Sequence, residues 1–305
     1  MITLSACIAV NKYLIFQAGI GMTANTFLLL FHILTLLLDH RPKPTDLITS
    51  HLAFVHITLL ITVLFLFSPD LFGSLNFWND FKCKSLFYSS RVLRGLSIST
   101  TCLLSIIQAI TISPSTSWLA QFKYKSTHFI FYFFPFVWLI CLSFSIGVIF
   151  HTVASSNVTQ TNMMVLTKYC SLSPIGRGIM GMMLTMTTYR DVFLVGLMLL
   201  SSVYMVILLS RHQKRSQYLH STSPFPRSSP EKKATQTILL LVNFFVVMYW
   251  ADLIISSSSM ILWTYDSVTV GVQSVVANVY ASASPLVLIS SDKRIVVMLH
   301  SILWK

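Results

Sequence analysis

The stretch SSRVLRGLSISTTCLLSIIQAITISP, Ser89 to Pro114, decides how the chain is read. Most of it is apolar or small and long enough to cross a bilayer, which takes about 20 such residues. Yet Arg91 and Arg94 stand three residues apart near its start, on one helical face. An arginine inside a bilayer costs at least about 3 kcal/mol. The same face continues through Ser97, Thr101, Ser105 and Gln108, at steps of three and four. A polar stripe of that kind belongs inside a helix bundle, away from lipid.

The rest of the chain agrees with a membrane setting. Of its 305 residues 54% are hydrophobic and only 10% charged, against about 25% charged in a soluble domain. Seven apolar spans are read: Tyr13 to Leu38, Thr45 to Phe67, Lys84 to Ile112, Ser126 to Phe150, Thr188 to Ser210, Thr235 to Trp263 and Val268 to Ser290. None alternates as a barrel strand does. The first lacks a small-residue cleavage site and reads as a retained span, not a signal peptide. The expected fold is therefore an all-α membrane protein, a seven-helix bundle in one domain over 1–305. The basic, Ser- and Pro-rich loop at about 211–234 reads as mobile, and 291–305 as a short cytoplasmic tail.

The net charge of +12 does not point to nucleic acid, because the bases lie between spans and suit anionic membrane lipid. Thirteen Lys and Arg fall on the side that includes Arg41, Lys123, Arg211, Lys214, Arg215, Lys233 and Lys305, and six on the other, Lys12, Lys82, Lys84, Lys168, Arg177 and Arg190. The positive-inside rule then places the N-terminus outside. The sequon Asn157-Val158-Thr159 falls in an outside loop, which makes Asn157 the expected glycosylation site. Among five cysteines, Cys83 and Cys170 lie at the outer face, where a disulfide is chemically allowed. Cys102 and Cys141 fall inside spans, and Cys7 is left over.

Outside N-terminus, seven spans and a span-three cysteine facing a loop cysteine resemble a G-protein-coupled receptor of rhodopsin-like architecture. Asn25, the Leu-Ala within HLAF (51–54) and Trp138 match landmarks of that fold. Others differ: His56 replaces a sodium-site Asp, Gln108-Ala109-Ile110 replaces Asp-Arg-Tyr, and Ser284-Pro285 replaces Asn-Pro. The departures have a pattern of their own. HRPKPTDLITSHLAFVHITLL (40–60), RGLSISTTCLLSIIQAITISP (94–114), VYMVILLSRHQKRSQYLHSTS (203–223), SPEKKATQTILLLVNFFVVMYW (229–250) and SPLVLISSDKR (284–294) resemble the vomeronasal type 1 receptor family. The resemblance implies a chemosensory receptor for small pheromone-like molecules, coupled to a heterotrimeric G protein of the inhibitory class.

Three other readings compete. A bitter-taste-like receptor shares the fold but generally lacks the paired outside cysteines. A transporter would be expected to show repeats or broken helices in matching places, and seven spans do not halve. An enzyme would need converging nucleophile, base or metal ligands, and no such spacing is present, nor any cofactor or metal motif.

Candidate ligand-binding residues are Arg94, Arg91, Ser97, Thr101, Asp252, Tyr249 and Trp250. Asp252 sits in span six and requires a cation or dense hydrogen bonding, from Arg94 or from ligand. Candidate G-protein contacts are Gln108, Arg211, Lys214, Arg215 and Lys233. His56, a neutral imidazole that cannot hold sodium as a carboxylate does, is expected to bond Asn25 or Asn278.

Overall fold

A computed structural model describes residues 2–38, 43–68, 80–114, 117, 121–123, 126–154, 164–165, 170–172, 177–219, 230–262 and 267–303. The elements are α1 (Ile2–Leu38), α2 (Pro44–Phe67), α3 (Asp80–Ile112), α4 (Ser126–Ser145), α5 (Gly147–His151), β1 (Thr152–Ala154), β2 (Met164–Val165), β3 (Cys170–Leu172), α6 (Arg177–Leu219), α7 (Pro230–Leu262), α8 (Ser267–Ser291) and α9 (Lys293–Leu303). Seven of the helices are long and apolar enough to cross a bilayer. Helix is forced on such segments because hydrocarbon offers no partner for backbone N–H and C=O groups.

α3 is the most enclosed span, with Leu96, Leu103, Leu104 and Ile107 buried along it. It packs against α2, α6, α4 and α7, while α1 and α8 close the bundle against α2. The outward faces carry Phe16, Leu37, Phe131, Tyr132, Leu139, Phe150 and Leu200, all well exposed. A water-soluble surface does not present so many large apolar groups together; here they meet lipid tails. A close helix approach is at Gly21 of α1. A Cβ there would lie 2.7 Å from Leu60 of α2 and 2.9 Å from Ser282 Cα of α8. Small residues permit such contacts in membranes.

The spans fall close to where hydropathy places them, but several ends do not. α6 starts at Arg177 and runs to Leu219, beyond the expected Thr188 to Ser210. α7 starts at Pro230, so helix replaces most of the loop expected at 211–234. Hydropathy marks where the chain leaves lipid, whereas Lys, Arg and Gln outside lipid are good helix formers. The fourth span is broken: α4 ends at Ser145, a turn at Ile146 intervenes, and α5 completes it. The expected tail is a helix. Asp292 caps α9 by accepting from the Arg294 backbone N–H at 2.9 Å. Ile295 then packs with Leu28 and Ala53.

The loop after α5 forms a small antiparallel sheet in the order β1-β3-β2, with Thr152 opposite Leu172 and Met164 opposite Leu172 on the other side. No hydropathy signal foretells it. Cys170 of β3 is disulfide-bonded to Cys83 in the first turns of α3, with Cα atoms 5.8 Å apart. The bond pins the sheet over one end of the bundle, hereafter the disulfide end. Asn157 lies outside the described residues.

Candidate functional site

Charge enters the bundle interior near the disulfide end. Arg94 lies about 16.5 Å along α3 from Cys83, at helical rise. Its Nη1 donates to Asp252 Oδ2 of α7 at 3.0 Å. The side chains are 34% and 15% exposed, respectively, so the pair is partly accessible and is not sealed in the core. One turn nearer the end, Arg91 is exposed and, among the described residues, makes no ion pair.

The pair borders a narrow crevice. Its apolar walls are Leu59 of α2, Ile98 of α3, Phe245 and Met248 of α7, and Ala277 and Ala281 of α8. Its polar groups are Arg94, Ser97, Tyr249, Asp252 and Tyr280. An apolar slot with a few convergent polar groups is the usual form of a small-molecule site. Of the residues singled out by sequence, Arg94, Ser97, Asp252 and Tyr249 meet here. Thr101 stands just deeper, its hydroxyl 3.1 Å from Tyr280 Oη. Arg91 is not in the lining. Trp250 is half exposed on the outer face of α7 and is also absent from it. Tyr249 and Trp250 are neighbours in sequence, so they point about 100° apart on a helix, and only one can face the crevice.

A polar axis continues below. His56 is fully enclosed; its Nε2 lies 2.8 Å from Ser97 Oγ and its Nδ1 3.3 Å from Ser284 Oγ. This corrects the expected bonds to Asn25 or Asn278. Asn25 instead donates to the carbonyls of Gly21 and Ala281, and Asn278 to that of Ser274. The asparagines satisfy backbone on their own helix or a neighbour, leaving His56 to join α2, α3 and α8 through two serines. Tyr280 stacks edge-on to His56 and Phe245, so the crevice floor and the histidine share one wall.

At the opposite end, Gln108 is buried and donates to Thr235 Oγ1 of α7 at 3.4 Å. Ser113 and Tyr204 hydroxyls meet at 2.5 Å, joining the end of α3 to α6, and Lys123 donates to the Ser113 carbonyl at 2.6 Å. Arg211 is exposed; Lys214 and Arg215 lie on the last turns of α6 and Lys233 on the first turn of α7. The Arg294 guanidinium makes two bonds to Asp46, at 2.7 and 3.1 Å, and two to Asp292, at 2.9 and 3.3 Å. His32 Nδ1 of α1 stands 3.4 Å from the same Asp46. The Asp46 hydrogen bonds, more than any other influence, raise the Arg294 pKa above its ordinary value.

Sequence reading missed two features. Arg190, counted among the outside bases, is turned into the bundle. Its Nε and Nη2 donate to Asp191 Oδ1 at 2.8 and 2.7 Å, and its guanidinium lies against Gly95, where a Cβ would meet Nη1 at 3.0 Å. Two adjacent opposite charges at the head of an apolar run were the available signal. The Asp46 and Arg294 pair was equally visible as an acid and a base beside the ends of two spans.

Seven membrane-length helices, a buried polar axis, and a disulfide holding a small sheet above an internal crevice define a seven-helix receptor of rhodopsin type. Squid rhodopsin shares this fold with a TM-score of 0.70 at 15% identity, over 95% of this chain and 83% of that one. Residues 8–301 match the family described as the vomeronasal organ pheromone receptor family, and the chain belongs to that family. Rat vomeronasal type-1 receptor 90 is 44% identical over 298 residues, covering 97% of this chain and 96% of its own length. Rat receptor 94 is 41% identical over 286 residues (94% and 87%), and mouse receptor 51 is 40% identical over 286 (94% and 89%). The protein is a chemosensory G-protein-coupled receptor, multi-pass in the plasma membrane, in a family of receptors rather than enzymes.

Proposed function

We propose that the disulfide end faces outside and that a small pheromone-like molecule enters the crevice there, activating a heterotrimeric G protein of the inhibitory class at the opposite end. The observation that carries the reading is the Arg94–Asp252 pair, set between α3 and α7 at the mouth of an apolar crevice. A ligand changes a receptor's equilibrium only by binding one arrangement better than another. The crevice is narrow, so a ligand that fills it must compete with this pair or part α3 from α7. A guanidinium suits an anionic or carbonyl-bearing group because its fork donates two parallel hydrogen bonds.

At the other end, the Gln108–Thr235 bond joins the same two helices. Separation at the mouth would be felt there, next to the G-protein contacts assigned to Gln108, Arg211, Lys214, Arg215 and Lys233. The excess of bases at that end and the sequon at Asn157 support the orientation, and the family resemblance supports the G-protein class.

The test is a cell-based G-protein release assay with volatile and steroid-like compounds, run on wild type and on Arg94→Ala and Asp252→Ala at matched surface expression. Responses lost in both variants and abolished by pertussis toxin are expected. Full responses from both variants would remove the crevice from the reading. Responses insensitive to the toxin would remove the inhibitory class.

A further inference from the structure

Asp252 has one oxygen occupied and one idle. Oδ2 takes the hydrogen bond from Arg94. Oδ1 is buried and, among the described residues, no donor reaches it. A carboxylate oxygen withdrawn from water without a donor is strongly unfavourable, more so than a neutral group. Two other polar groups of the crevice are turned elsewhere: Ser97 Oγ lies against His56, and Tyr280 Oη against Thr101. A second idle atom, Arg190 Nη1, is also buried without a partner. It lies beside Gly95 of α3, where an added Cβ would meet it at 3.0 Å, and Arg190 is not among the residues that line the crevice. Asp252 lines the crevice.

From this we infer that the receptor selects ligands carrying a hydrogen-bond donor, a hydroxyl on an apolar skeleton, which donates to Asp252 Oδ1 while its oxygen accepts from Arg94. The inference rests on the crevice being the ligand site and names the chemistry it selects. One hydroxyl can make both bonds, because it is donor and acceptor at once. A ketone of the same skeleton offers an acceptor to Arg94 but presents its lone pairs to the carboxylate. A pocket built to bond a hydroxyl rejects the analogue lacking it more strongly than an apolar pocket rejects a missing methylene.

Asp252→Asn changes this selection in a defined direction. The amide oxygen replaces Oδ2 as acceptor for Arg94, which leaves Nδ2, a donor, at the Oδ1 position. The ketone then gains a partner.

The experiment measures G-protein release from cells bearing the full-length receptor, with matched probes: menthol and menthone, borneol and camphor, and a saturated steroid alcohol with its ketone. Decanoate serves as an anionic control. In wild type each active alcohol should be at least about tenfold more potent than its ketone, the factor expected when one partner of a hydrogen bond is lost. In Asp252→Asn that ratio should fall to near unity or invert. The ratio is taken within one receptor, so it does not depend on expression. The wild-type ratio stands by itself should the variant not reach the surface. Ketones matching or exceeding alcohols in wild type, an unchanged ratio in Asp252→Asn, or silence of every alcohol would overturn the inference. A response to decanoate that requires Arg94, with alcohols silent, would leave the crevice as the site and remove only the donor requirement. Responses that survive both Arg94→Ala and Asp252→Ala would instead reject the site.

Discussion

Removing Arg94 should harm the receptor more than removing its partner, and removing both should restore part of the loss. Two unit charges 3.0 Å apart attract by about 1.4 kcal/mol in bulk water and about 5.5 kcal/mol at an effective dielectric of about 20. Side chains 34% and 15% exposed belong between those limits, and a net coupling of about 2 kcal/mol follows once desolvation is set against attraction. The two halves are unequal. Arg94→Ala leaves a largely enclosed carboxylate without its hydrogen-bonded cation. Asp252→Ala leaves a guanidinium one-third exposed on a long, flexible stem. At about 2–4 °C per kcal/mol for a chain of this order of size, Arg94→Ala should melt about 5 °C below wild type. Asp252→Ala should lose less, and the double variant should melt above Arg94→Ala alone. The assay is thermal melting of the purified receptor in detergent, read as a double-mutant cycle. Losses that simply add would show that the two side chains are not coupled, and the account of the crevice mouth would fail with them.

Further outcomes are expected. Cys83→Ala should reduce surface expression by releasing β3 from α3; wild-type surface levels by flow cytometry would contradict this. Asn157→Gln should abolish an endoglycosidase-induced band shift, and an epitope placed after Lys305 should stain only permeabilised cells. Gly21→Ala should destabilise by about 1–3 kcal/mol through overpacking, since the new methyl meets Ser282 Cα at 2.9 Å; Gly19→Ala, with nothing within 4 Å, should be near neutral in the same melt. Arg294→Ala should speed hydrogen exchange across α9 while leaving α3 amides unchanged, because Arg294 holds that helix to Asp46.

What could be read ahead of the structure follows from how each interaction is specified. The spans were legible because the bilayer demands length and apolarity from each segment independently. The α3 stripe was legible because Ser97, Thr101, Ser105 and Gln108 share one helical face, and all four are buried. Arg94 and Asp252 were legible as partners because few opposite charges lie at that depth. Pairings among neutral groups were not. Whether His56 meets Asn25 or Ser97 depends on how two helices are rotated and shifted against each other, and no local pattern encodes that. The helix extensions of α6 and α7, and the whole of α9, lie where the chain has left lipid, so hydropathy is silent about them. Arg190 misled for a related reason: a base at the head of a span looks solvated until Gly95, on another helix, is seen to leave room for it.

The Cys83–Cys170 bond closes a covalent ring across an 87-residue separation. Nearly all of α3, with α4, α5, β1 and β2, belongs to that ring. A single proteolytic nick anywhere within it opens the ring without dividing the molecule. Such a receptor would migrate as one piece on a gel run without reductant and as two with it. In the membrane the cut helices would stay tethered near their partners and could not diffuse apart in the lipid plane. Damage to the loops between α3 and β3 is therefore survivable in a way that damage between α6 and α7, where among the described residues no second covalent link spans the break, is not.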